Sequence, residues 1–160
     1  MSAVSLILDS RELHAAIGRI IKHLDPDTAE MMTAIGALGE SQTRRRITDE
    51  KTAPDGTPWK ENWTETSILL ATGQHLLASI VNITSADEAE WGATWEWAHV
   101  HQDGAEIIPR NAKALVFSVG GQTIHAKKVT VPARPFVGLS ADNEREMIEL
   151  VTDIWGNGLQ

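Results

Sequence analysis

Residues 114–131 read ALVFSVGGQTIHAKKVTV, and this stretch decides the fold class. Ala114 to Gly121 and Gln122 to Val131 are two β-prone runs about Gly120-Gly121, a dipeptide suited to the positive φ angles of a tight hairpin. A hairpin makes neighbouring strands antiparallel. Upstream, Leu76 to Thr84 is a second β-prone run, and the alternation Trp91, Ala93, Trp95, Trp97 predicts another strand or strand edge. Helical patterns flank this β region on both sides. The expectation is an α+β fold, with a small, mainly antiparallel sheet packed with two N-terminal helices and one C-terminal helix.

The first helix is predicted over residues 10–24, from the N-cap Ser10 through Leu13, Ile17, Ile20, Ile21 and Leu24, and Pro26 breaks it. Asp25 and Pro26 then open a second helix to about Ile47, with Met31, Ile35 and Leu38 on one stripe. Its end carries Arg44-Arg45-Arg46, read as a solvated helix end or as a contact for an acidic partner. The last helix has Met147, Ile148, Val151, Ile154 and Trp155 on one face, with Gly156 as terminator. Ahead of it, residues 3–8 are a short apolar strand or arm, and residues 51–67 form a turn-rich loop carrying Trp59 and Trp63. Those two tryptophans either pin the loop or stand as interface anchors.

The chain has 160 residues, the size of one domain, and no linker or repeat divides residues 1–160. Its 22 acidic and 14 basic residues give a formal charge of −8, which argues against gripping DNA through its phosphates. With no cysteine, thiol nucleophiles, disulfides and Cys-ligated zinc are excluded. The start, MSAVSLILDSRELH, lacks the basic region of a signal peptide, and no apolar run approaches the ~20 residues of a membrane span. These features predict a soluble chain.

Three constellations could carry chemistry. His99, His101 and Asp103 have the His-x-His-x-Asp spacing of binuclear metallohydrolases, but Gly104 stands where that pattern has a further histidine. His75 and His125 have no supporting motif, and His14 and His23 fit a helix surface. Ser140 lacks one glycine of a nucleophile elbow and reads better as a helix cap. The acidic pairs Asp87-Glu88 and Glu144-Glu146 fit a solvated loop and a helix face. No phosphate-loop or dinucleotide fingerprint is present, no cofactor is expected, and no catalytic residue is assigned.

The segment TVPARPFVGLS, from Thr130 to Ser140, brackets Arg134 with Pro132 and Pro135 and follows it with Phe136. Two prolines remove amide donors and stiffen the backbone, so Arg134 is held at a fixed place and Phe136 is set to fill an apolar pocket. Arg134 then pairs either with an acidic residue of its own chain or with a neighbouring subunit.

PDGTPW (54–59), LLATGQHLLASI (69–80), WAHVHQDG (97–104) and VPARPFVGLS (131–140), in this order and followed by a helix, resemble the phage virion morphogenesis family of tail-completion proteins of Mu-like and related tailed phages. The similarity extends over about residues 10–156. Asp103 stands where the family usually has an aromatic residue, and Trp97 where it commonly has tyrosine. The resemblance implies a virion protein of the neck or tail end, assembled in the bacterial cytoplasm. It implies a homo-oligomeric ring, often a hexamer, meeting connector and tail tube or tail terminator proteins, with DNA only passing through the lumen and no membrane partner. A capsid-assembly or head-closure factor is the alternative within that system, and an accessory module acting on host proteins is the alternative outside it. Trp59, Trp97, His101, Gln102, Arg134 and Phe136 are the candidate interface or loop-anchor residues.

Overall fold

The computed structural model describes residues 28–70 and 75–157. The predicted helix over 10–24 and the apolar run over 3–8 lie outside the described residues. Helix α1 (Thr28–Arg45) runs close to its predicted end, and the chain continues through a π-helical turn, Arg46–Glu50. Lys51 N closes that turn on Arg46 O at 3.0 Å, five residues back. The wider turn buries both Arg46 and Ile47.

The buried face of α1 is only partly the predicted apolar stripe. Met31 is buried, Ile35 and Leu38 are half-buried, and the other buried positions are Gly36, Gly39, Gln42 and Thr43. The two glycines explain the difference. A Cβ on Gly36 would stand 2.6 Å from Thr84 Cγ2, and one on Gly39 2.6 Å from Trp91 Cε2, so the missing side chains let a β ribbon lie directly on the helix.

That ribbon pairs β1 (Ile80–Thr84) with β2 (Ala89–Ala93) antiparallel, Ile80 opposite Ala93. A short helix α2 (His75–Ala78) precedes it where sequence had suggested strand. The tryptophan alternation is strand only as far as Ala93. Thr94 N then bonds Ser79 O at 3.0 Å, Trp95 to Trp97 turn, and helix α3 (Ala98–Asp103) follows. The histidines of HVHQD therefore sit on a helix, not at a strand end.

Two further ribbons complete the β structure. Strand β3 (Ala105–Ile107) pairs with β6 (Val129–Val131), and β4 (Leu115–Val119) pairs with β5 (Gln122–Ala126). Both turn glycines of β4–β5 have positive φ, 56° and 81°, as a primed hairpin turn requires. The run over 122–131 is split: β5 ends at Ala126 and β6 turns to another partner. The fold class is α+β, with antiparallel strands in three two-stranded ribbons rather than one sheet.

Helix α4 (Ala141–Asn157) starts at a reciprocal cap. Ser140 Oγ accepts from Asn143 N, and Asn143 Oδ1 accepts from Ser140 N, both at 3.2 Å. Gly156 does not stop the helix. Its first turns dock on α1 through polar groups: Gln42 Nε2 donates to Glu146 Oε2 at 2.8 Å, and Arg45 pairs with Glu146 at 2.9 Å. The predicted apolar face is poorly covered, with Ile148 66% exposed and Trp155 47%. The core instead gathers Ile47, Ala53, Trp59, Leu76, Ile80, Ala98 and Phe136.

Candidate functional site

Five of the six candidate residues meet around one extended segment, Pro132 to Gly138. Because prolines leave this backbone with few donors, side chains from elsewhere bind it. Arg134 N donates to His101 O at 2.7 Å. Gln102 then acts as a false strand: Oε1 accepts from Phe136 N (3.0 Å) and Val137 N (3.1 Å), and Nε2 donates to Val137 O (3.1 Å). Trp59 Nε1 donates to Pro135 O at 3.1 Å. Arg46 Nη1 donates to Phe136 O (3.1 Å) and Gly138 O (2.7 Å), and its Nη2 to Asn143 Oδ1. The carbonyls of residues 135 to 138 thus each accept a hydrogen bond from a side chain.

The loop over 51–67 is folded onto the same place. Asp55 Oδ1 accepts from Thr57 N at 2.9 Å, and Gly56 has φ 85°, so the Pro-Asp-Gly sequence closes a tight turn. Trp59 N bonds Lys51 O at 2.9 Å, turning the indole inward, where it is buried. Gly138 allows Pro54 to pack against it, since a Cβ there would be 2.6 Å from Pro54 Cγ. Gly104, φ 75°, does the same for the approach of the 131–133 backbone: its Cβ would stand 2.8 Å from Ala133 N. Segments from three of the four sequence motifs therefore contribute to one interlocked cluster, and the fourth, 69–80, adds Leu76 and Ile80 to the core beside Phe136.

Arg134 is 6% exposed, and within the chain it is held by backbone rather than by the expected acidic side chain. Its Nε and Nη2 donate to Lys60 O at 2.9 and 2.8 Å, and Nη2 also to Glu61 O at 3.2 Å. No carboxylate pairs with it among the described residues. Backbone carbonyls of the loop take the place of the anticipated acid, and burial lowers its pKa. Phe136, 1% exposed, fills the core as predicted.

His101 stacks on Trp95 (ring centroids 5.7 Å apart), which stacks in turn on His75 (6.1 Å). Its Nδ1 is buried without a hydrogen-bond partner. Burial, and then the nearby Arg134 charge, hold its pKa below the usual imidazole value. Trp97 stands apart from the cluster, 54% exposed just ahead of α3.

Sequence reasoning missed Arg46. The arginine run reads as a solvated helix end, yet Arg46 is 1% exposed, and Arg44 donates to Leu77 O (2.7 Å) and Ile80 O (2.6 Å). The available signal was periodicity: Gly39, Gln42, Thr43, Arg46 and Ile47 continue one helical stripe.

The metal reading fails on geometry. Residues two apart on a helix point to nearly opposite sides, so His99 and His101 on α3 cannot converge on one ion. His99 Nδ1 lies 2.9 Å from Glu96 O, while His101 faces the Trp95 ring. Among the described residues no group of three His, Cys, Asp or Glu side chains could hold a metal, and no helix is long and apolar enough to cross a membrane.

Comparison with curated proteins finds no match, and comparison with solved structures finds none. The phage virion morphogenesis family matches residues 8–155, nearly the full length. The chain therefore belongs to the phage virion morphogenesis family.

Proposed function

We propose that this protein is a structural, non-catalytic part of a tailed phage particle, acting as a homo-oligomeric ring, hexameric by the family resemblance, at the head–tail junction. In this role it completes the neck or tail end, so that a tail can join a DNA-filled head through connector and tail tube or terminator proteins. Family membership supports a structural or assembly role in the virion. The observation that carries the reading further is the contrast between inside and outside. The motif residues cross-link the subunit internally, while apolar side chains on separate elements stay exposed: Trp63, Ile83, Ile108, Val116 and Ile148. The three ribbons also have strand edges left unpaired by one another. Exposed apolar surface and open edges are what neighbouring subunits cover.

The test is electron microscopy of a lysate from the encoding phage with this reading frame deleted, followed by addition of purified protein. The expected result is DNA-filled heads beside separate tails, with joined infectious particles restored by the protein. Unfilled or malformed heads would instead assign it to capsid assembly, and normal particles would overturn the structural reading.

A further inference from the structure

Two hollows share Trp63 and Arg134 as a common wall. The larger, about 550 Å³, is also lined by Leu76, Trp95, His101 and Ser118; the smaller, about 350 Å³, by Lys60, Glu61 and Lys128. Arg134 Nη1 has no hydrogen-bond partner among the described residues, although Nε and Nη2 are both engaged. His101 lines the same larger hollow. Glu61 makes no ion pair with Arg134 or Lys60 among the described residues. A guanidinium this buried, held by carbonyl dipoles alone, still favours a countercharge strongly. Above it Trp63 is 64% exposed and leans on Phe117, with ring centroids 6.5 Å apart.

We infer that these hollows receive an acidic side chain from a second copy of this chain, whose carboxylate accepts from Arg134 Nη1 while Trp63 covers the stem. The inference rests on the ring reading and names one of its contacts. Charge complementarity selects the occupant. Lys60 and Arg134 stand outside any ion pair among the described residues, whereas Lys128 pairs with Glu106 at 2.8 Å, on a chain of net charge −8 whose other surfaces offer exposed carboxylates outside any such pair, such as Asp87, Glu88, Glu144, Glu149 and Asp153. Arginine and tryptophan in a desolvated pocket are also the residue types that dominate association energy. A patch on one side of a subunit that takes a carboxylate from another side makes a head-to-tail contact, the kind that closes into rings. A nucleic-acid backbone fits less well, because it is held by many cations spread along a surface, and this chain carries a net charge of −8.

Ser118 is exposed on β4 and lines the larger hollow, so Ser118→Glu supplies a carboxylate from within the subunit, and Ser118→Gln supplies the same bulk without charge. Sedimentation velocity of the full-length proteins is expected to show Ser118→Gln assembling like the wild type. Ser118→Glu should remain folded by circular dichroism, melt higher, and raise the apparent dissociation constant about tenfold or more. Carbodiimide coupling of a mixture of ¹⁵N-labelled and unlabelled wild type should link Lys60 or Lys128 of one copy to an Asp or Glu of another. Equal assembly of both Ser118 variants, or links found only within a copy, overturns the inference while leaving the ring standing. A wild type that stays monomeric, alone and on phage particles, overturns the ring reading and this contact with it. Binding to duplex DNA that Ser118→Glu abolishes would assign the patch to nucleic acid instead.

Discussion

Gln102→Leu isolates the contribution of the false strand, because it removes three neutral hydrogen bonds without changing any charge. Leucine has similar bulk, but it leaves the amides of Phe136 and Val137 and the carbonyl of Val137 without their partners at 3.0, 3.1 and 3.1 Å. Phe136 is 1% exposed, so water cannot readily replace the lost acceptor at its amide. At about 0.5–1.5 kcal/mol for each bond, the expected loss is roughly 2–4 kcal/mol. For a chain of this size that corresponds to a melting point lower by about 4–16 °C. Gln102→Glu keeps both acceptor contacts but cannot donate to Val137 O, and should lose about half as much. The assay is urea unfolding followed by tryptophan fluorescence and circular dichroism at one protein concentration, since assembly of the proposed kind would make stability concentration-dependent. A Gln102→Leu protein within about 0.5 kcal/mol of the wild type at unchanged m-value would refute the reasoning, as would a glutamate variant weaker than the leucine one.

Arg46→Met strips the donor from Phe136 O, Gly138 O and Asn143 Oδ1, and should lower stability by about 3–5 kcal/mol in urea. Arg46→Lys should recover little of that, because an ammonium cannot span acceptors arranged for a planar fork. Gly39→Ala gains about 1 kcal/mol of helix propensity but drives a methyl into the Trp91 ring, so a net loss of about 1–2 kcal/mol with a shifted Trp91 emission is expected; a more stable variant refutes the close packing. The His101 pKa is lowered by burial and by Arg134, so the unfolded chain takes up the proton first as pH falls. Stability should therefore be flat from this group above about pH 7 and decline below its ordinary value of 6.5, and thermal melts of His101→Gln should lack that decline. The carboxylates of Glu40, Glu146 and Asp55, held low first by hydrogen bonds from Asn82, Gln42 and Thr57, keep their contribution until pH drops below the usual carboxylate range, so the two windows separate.

What the sequence made legible was local. The Gly120-Gly121 hairpin, the Ser140 cap and the helices over 28–45 and 141–157 each follow from patterns within a few residues, and the structure has these. The split at Ala126 and the helix over 98–103 were illegible because β6 and α3 are set by partners distant in sequence: β6 pairs with β3, and His101 O takes the amide of Arg134. The same holds for the candidate cluster. Five of its residues could be named, but not what each one touches, because their partners are mostly main-chain groups, and a backbone carbonyl has no letter of its own in a sequence. An arginine looks for a carboxylate only when its partner is sought among side chains; Arg46 and Arg134 are held largely by oxygens of Phe136, Gly138, Lys60 and Glu61.

That use of main-chain acceptors bears on how such a subunit can form contacts of more than one kind. Charged pairs between side chains fix a geometry only as well as two flexible stems allow, whereas a guanidinium bonded to two or three carbonyls is fixed by the backbone itself. Arg46 ties the end of α1 to the start of α4, Gln102 ties α3 to the same segment, and Arg134 with Trp59 ties the loop to it. The elements around that segment are therefore tied to it through its own main-chain groups. Strand edges and apolar side chains on β1, β4 and α4 can then be covered by neighbours without the subunit's own interior having to rearrange, so ordering entropy on association is confined to the surface. In the proposed contact Arg134 is both a strut and a binding group. Two of its nitrogens hold the loop, and the proposal assigns the third to a partner. Removing the residue confounds the two roles, whereas a carboxylate added at Ser118, which lines the same hollow, leaves the Arg134 bonds to the loop in place, which is why that substitution separates assembly from folding.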